Sequence, residues 1–174
     1  VTGIGGASTS STGVAANSII VSAGSLTGIG CDFKYNGTEV KNLASGGIYA
    51  AQGIDAAGGT VTGKGGNVSI EGGTEQAAYS YGIILGGGDN EEATTVPVNG
   101  NVTGIGGIAS GTAYGSYGIG IEEETEGTEE TEVEMYISKA STITAVSAKD
   151  GAFTNVPKID SKLKTVVKTG TEAD

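Results

Sequence analysis

The chain has 174 residues, 33 of them Gly, with no His, no Trp, one Cys, and nine basic residues that are all Lys, so histidine triads, histidine metal sites and arginine clamps lack their residues. A formal charge of −11 disfavours nucleic acid and anionic membranes, and no apolar run approaches the ~18 residues that insert across a membrane. Glycine without a three-residue period excludes collagen, and 37% hydrophobic residues argue against simple disorder.

Two motifs alternate along the chain. The first is an apolar residue followed by Thr-Gly-x-Gly-Gly: Val1-Thr2-Gly3-Ile4-Gly5-Gly6, Leu26-Thr27-Gly28-Ile29-Gly30-Cys31, Val61-Thr62-Gly63-Lys64-Gly65-Gly66 and Val102-Thr103-Gly104-Ile105-Gly106-Gly107, with a degenerate copy at Ile143-Thr144-Ala145-Val146-Ser147-Ala148. Between these copies lie Thr12-Gly13-Val14, Gly46-Gly47-Ile48, Tyr81-Gly82-Ile83 and Tyr117-Gly118-Ile119, whose central glycines are 34, 35 and 36 residues apart.

Gly-, Thr- and β-branched-rich segments are poor helix formers. Runs such as 47–50, 60–62, 67–70 and 80–84 predict strands of about three to five residues joined by sharp corners. A unit of this kind cannot bury its apolar residues alone, but parallel units stacked ~4.8 Å apart satisfy the backbone and build columns of Ile and Val. The predicted fold is therefore all-β: a right-handed parallel β-helix, or solenoid, of about four to five coils of roughly 35 residues including loop insertions. Glycine is expected at the corners, supplying positive φ.

The repeats span residues 1–150, with acidic insertions near 86–95 and 122–132 that are expected to leave the same corner of neighbouring coils. Residues 151–174 hold four of the nine Lys and are expected to form a C-terminal cap or final edge strand of the same domain.

Val-Thr-Gly-x-Gly-Gly alternating with Ser-Tyr-Gly-Ile resembles the repeats of large secreted or cell-surface, adhesin-like proteins of gut Firmicutes, over residues 1 to about 150. The resemblance implies an exported bacterial protein, extracellular or on the cell surface, with the pectin-lyase-like architecture. The chain departs from the sugar-cleaving members of that architecture: it has no His, no Arg and no cluster of Asp at strand ends. It is read as not an enzyme, since fold alone does not carry function.

Eight Glu fall within residues 122–134. Clustered carboxylates suit Ca²⁺, so Asp89, Glu91, Glu92, Glu122, Glu123 and Glu124 are candidate ligands, against the reading of a solvated loop that keeps the solenoid soluble. No other cofactor follows from the sequence. Tyr49, Tyr79, Tyr81, Tyr114 and Tyr117 lie in or beside the Gly-Ile strands; Tyr81, Tyr117 and Tyr49 are candidate sugar-stacking residues, the alternative being that the rings only stabilise the sheet. The Thr of each Thr-Gly motif should form a ladder, and Cys31, which holds a Gly slot, is expected to be a buried, inert thiol. The expected function is a non-enzymatic structural or adhesin-like module that binds a glycan or a host or bacterial surface protein, without nucleic acid or membrane insertion. The alternatives are a dedicated carbohydrate-binding domain that uses the Tyr row, and a degenerate polysaccharide lyase or hydrolase.

Overall fold

The computed structural model describes residues 1–6, 10–37, 42–72, 77–85, 95–111, 113–121, 134–137, 141–148, 153–154 and 164–169, which are strands and short connections without a helix. In chain order the strands are β1 (Thr2–Ile4), β2 (Ser10–Ile20), β3 (Gly24–Ile29), β4 (Phe33–Asn36), β5 (Asn42–Lys64), β6 (Val68–Glu71) and β7 (Ala77–Leu85). They continue as β8 (Thr95–Ile105), β9 (Ala109–Ser110), β10 (Ala113–Ile121), β11 (Glu134–Ile137), β12 (Thr142–Ser147), β13 (Phe153–Thr154) and β14 (Lys164–Thr169).

Every pairing among them is parallel, and the pairs resolve into four ladders. Ladder A runs through the first part of β2, the first part of β5, then β7, β10 and β13. Ladder B joins the end of β2 to the middle of β5, the start of β8 and β11. Ladder C stacks β1, β3, the end of β5, the end of β8, β12 and β14. Ladder D is β4, β6 and β9. From β2 to β9 the chain visits A, B, C and D in that order three times, and β10, β11 and β12 repeat A, B and C.

The repeat period is the ladder register. Val14, Ile48, Ile83 and Ile119 of the second motif are successive partners in ladder A, and Thr2, Thr27, Thr62, Thr103 and Thr144 are successive partners in ladder C. The degenerate copy at 143–148 keeps its place, with Ala145 opposite Gly104. The predicted strands of three to five residues merge, however. β5 runs 23 residues through ladders A, B and C, because parallel neighbours keep its backbone bonded through the bends. The bends are absorbed as register shifts between Ala16 and Ser18 and between Ala56 and Thr60.

Among the described residues two apolar clusters lie inside. The larger joins ladders A, B and C through Ile48, Ile83, Ile119, Ile54, Val98, Val61, Val102 and Ile143. The smaller joins the start of ladder A to ladder D through Leu43, Ala78, Val68 and Ile70. Between them the backbones of ladders A and C meet glycine to glycine. A Cβ on Gly63 would overlap the Gly82 carbonyl oxygen, one on Gly82 the Ile105 amide nitrogen, and one on Gly104 the Gly118 carbonyl oxygen. This corrects the reading of these glycines as corner residues. Left-handed backbone falls at Gly24, Gly53, Gly72 and Gly100, outside both motifs, while Gly63, Gly82 and Gly104 are required because a side chain would push the two ladders apart.

A row of buried serines borders the glycine contact: Ser11, Ser45, Ser80 and Ser116 are successive partners in ladder A. Ser45 Oγ donates to Cys31 O at 2.7 Å and accepts from Gly66 N at 3.0 Å. One pass later, Ser80 Oγ donates to Gly66 O and accepts from Gly107 N, both at 2.8 Å. Ser11 and Ser116 accept from Cys31 N and Ala148 N in the same way. Each hydroxyl thus satisfies backbone groups where the chain leaves ladder C, a corner with no strand partner to do so.

Candidate functional site

On the outer face of ladder A, Tyr81 and Tyr117 are direct register partners with ring centroids 5.1 Å apart. Strand alternation puts them on one face, and parallel pairing brings them into line. The third ring is Tyr79, at 6.2 Å from Tyr81 and 6.4 Å from Tyr117. Tyr49 belongs to a different row, opposite Ala15 and Ile84, so the three candidate tyrosines do not form one platform. The side chain of Tyr114 lies outside the described residues. All three clustered rings are half-buried: a Cβ on Gly120 would meet the Tyr81 ring, and one on Gly115 the Tyr117 ring. The glycines therefore give the rings a surface to lie on, a packing role that leaves part of each ring face to solvent.

The outer face of ladder C carries the Thr row and, two residues before it, a second polar row of Ser25, Thr60, Asn101 and Thr142. The motif by itself implies one aligned Thr per pass; the strand-to-strand register supplies the second column.

Among the described residues, depressions follow the corners and ladder D. The one between ladders C and D encloses about 340 Å³ over a floor of Gly30, Gly65, Gly66, Gly106 and Gly107. Its polar groups are mostly spent on the fold. Asp32 Oδ1 accepts from Asn67 N at 2.6 Å, and Asn67 Oδ1 accepts from Ile108 N at 2.8 Å. Cys31 stands at this corner half-buried rather than buried as expected, its Sγ donating to Asp32 O at 3.4 Å.

The second depression, about 310 Å³, lies along ladder B and brings together Ser18, Gln52, Asp55 and Asn99 with Ile20 and Pro97. Ser18 Oγ donates to Gln52 Oε1 at 3.4 Å, and Asp55 Oδ1 accepts from Asn99 Nδ2 and Ala57 N, both at 3.1 Å. Among the described residues, the Gln52 amide nitrogen and the second Asp55 oxygen have no further hydrogen-bond partner, a donor and an acceptor within one shallow site. Sequence reasoning missed Gln52, Asp55 and Asn99, because each stands once and follows no motif; Gln52 and Asp55 come soon after the Gly-Ile strand, and Asn99 lies beyond the first insertion.

Asp89, Glu91, Glu92, Glu122, Glu123 and Glu124 lie outside the described residues. Their flanks are described. Leu85 and Ile121, the residues before the two insertions, are register partners, as are Thr95 and Glu134, beyond them. Both insertions therefore leave and rejoin neighbouring strands at the same corner between ladders A and B. The first rejoins at Thr95, two residues before Pro97 of the ladder B depression. Among the described residues no three His, Cys, Asp or Glu side chains come together as a metal site. No described helix is long and apolar enough to cross a membrane. Set against known proteins, the chain matches no family model, no curated protein and no solved structure.

Proposed function

We propose that the four ladders close into a right-handed parallel β-helix of four to five coils, and that this solenoid is a non-enzymatic, adhesin-like module of a secreted or cell-surface bacterial protein. Its ligand is a glycan or a surface protein. The observation that carries the reading is the shared corner: the residues flanking the two acidic insertions are register partners, and the first insertion rejoins two residues before Pro97 of the depression lined by Gln52, Asp55 and Asn99. Recognition segments held by a rigid parallel scaffold are the usual way in which such frameworks bind. Screening the chain against glycan arrays and glycoproteins is expected to yield a ligand whose binding is lost when residues 122–132 are replaced by a Gly-Ser linker or when Asp55→Ala is introduced. Binding that survives both changes sinks the shared-corner reading. A product released from any acidic or neutral polysaccharide sinks the non-enzymatic one.

The 5.1 Å Tyr81–Tyr117 pair supports a second reading, in which the outer face of ladder A is a carbohydrate platform. Under it, Tyr81→Ala and Tyr117→Ala abolish glycan binding and the 122–132 replacement does not.

A further inference from the structure

Two outward-facing polar side chains come from one bend of β5. Ala51 and Gln52 together oppose the single residue Asn17 of β2, a bulge that shifts the register between ladders A and B. Past it Gly53 takes φ +120°, and Gly53 and Ile54 are both buried while Gln52 and Asp55 are both exposed. Residues three apart in a regular strand face opposite sides. The bulge and the left-handed Gly53 break that alternation, so Gln52 and Asp55 line one depression of about 310 Å³. Its apolar part is rigid: a Cβ on Gly53 would overlap the Pro97 carbonyl oxygen and meet the Pro97 ring, which lies against Gly53 and is otherwise exposed.

Asp55 is held from within the fold. Its Oδ1 accepts from Ala57 N and Asn99 Nδ2, Asn99 Oδ1 accepts from Ser141 Oγ at 3.3 Å, and Ser141, 1% exposed, accepts from Gly100 N at 2.9 Å. Three successive passes thus give one residue each to a relay that runs from a buried hydroxyl to an exposed carboxylate. The relay fixes the carboxylate, and among the described residues it leaves Oδ2 to accept. The Ser18 hydroxyl likewise occupies Gln52 Oε1, so Nε2 is the end of that amide left to donate.

A fixed acceptor and an amide donor beside an exposed aliphatic ring complement a sugar ring, whose neighbouring hydroxyls both donate and accept and whose C–H face is apolar. The depression is at the lower end of small-molecule site volumes, with room for a single ring. Asp55 is the one charged residue that lines it, and the first acidic insertion, with Asp89, Glu91 and Glu92, rejoins two residues before Pro97, so an anionic sugar meets like charge. We infer that this depression takes one neutral sugar ring with vicinal hydroxyls: Asp55 Oδ2 accepts from one hydroxyl, Gln52 Nε2 donates to the next, and the C–H face lies over Pro97. The inference rests on the shared-corner reading, which places the ligand site here, and names its substrate class.

NMR titration of the whole chain with the methyl glycosides of glucose, galactose and mannose is expected to show at least one that binds in the millimolar range and shifts the amides of Gln52, Asp55 and Asn99. The methyl glycoside of galacturonic acid is expected not to bind. Asp55→Asn, which keeps the shape and replaces the second acceptor by a donor, and Gln52→Ala are each expected to weaken binding about tenfold or more, with circular dichroism and Tm unchanged. Replacing residues 122–132 by a Gly-Ser linker leaves the affinity for a single ring intact. The inference is overturned if no neutral glycoside binds, if the shifts fall at Tyr81 and Tyr117, if the acidic glycoside binds as well as the neutral ones, or if both variants bind as the parent chain does. In any of these cases a larger glycan or a surface protein whose binding is lost with residues 122–132 leaves the shared-corner reading standing, whereas ligands indifferent to those residues and to Asp55 remove that reading too.

Discussion

Gly63 and Gly82 occupy places where the next atom out is the backbone of the facing ladder. Gly63→Ala or Gly82→Ala is therefore expected to lose about 1–3 kcal/mol in urea unfolding, the cost of overpacking a tight contact. Gly24→Ala is the contrast: φ is +77° with open space around the Cβ, so only about 1 kcal/mol of backbone strain is expected. Equal losses at the three positions would mean that the ladders can part without penalty. Ser45→Ala orphans the buried Gly66 amide and the half-buried Cys31 carbonyl, Ser80→Ala the buried Gly66 carbonyl and the half-buried Gly107 amide, and each is expected to cost about 1–3 kcal/mol. The spacing of these residues was legible in the sequence and their task was not. Ser11, Ser45, Ser80 and Ser116 recur with the period of the Gly-Ile motif, but a recurring Ser two places before a Gly does not reveal that its hydroxyl reaches a corner 14 residues back in the chain. The glycines pass for turn residues in the sequence because a single chain shows where side chains are missing, not what backbone fills the space.

Among the elements, the alternation of the two motifs was enough to anticipate parallel pairing and the register of ladders A and C, since a fixed period with β-branched residues leaves few other ways to bury them. Ladder B was illegible. Its strand in β5 holds Gly53-Ile54-Asp55-Ala56, which carries no repeated signature, and in later passes it is set back by insertions. Ala50 and Ile54 are four residues apart, whereas their partners Leu85 and Val98 are thirteen apart, yet the same ladders receive them. Replacing residues 86–94 by a direct connection patterned on Ala51-Gln52 is therefore expected to retain the circular dichroism spectrum and shift Tm by only a few degrees. A collapse of the fold would show that the insertion holds the corner together. Tyr81→Ala removes a ring that packs on Tyr117 and covers Gly120, with an expected loss of about 0.5–1.5 kcal/mol beyond the area effect. If glycan binding survives that change while stability falls, the tyrosines serve the sheet and not a ligand.

At the scale of the whole molecule, charge is segregated along the sequence. Residues 1–31 have no charged side chain, and eight of the twenty acidic residues crowd into residues 122–134. Millimolar Ca²⁺ raises Tm if those carboxylates form a site in the folded chain, and leaves it unchanged if they are solvated; the observed unfolding temperature with and without chelator decides. That contrast is legible in the sequence without the fold. The glycine contact between ladders A and C also bears on how such a chain can change by descent. A coding segment that starts and stops at equivalent points of two passes can be duplicated or lost in one recombination event with the close contact between ladders A and C kept. A gain or loss of a single residue within the motifs would place a side chain there. Whole passes are therefore the unit that this architecture can gain or lose with the least disturbance to that contact.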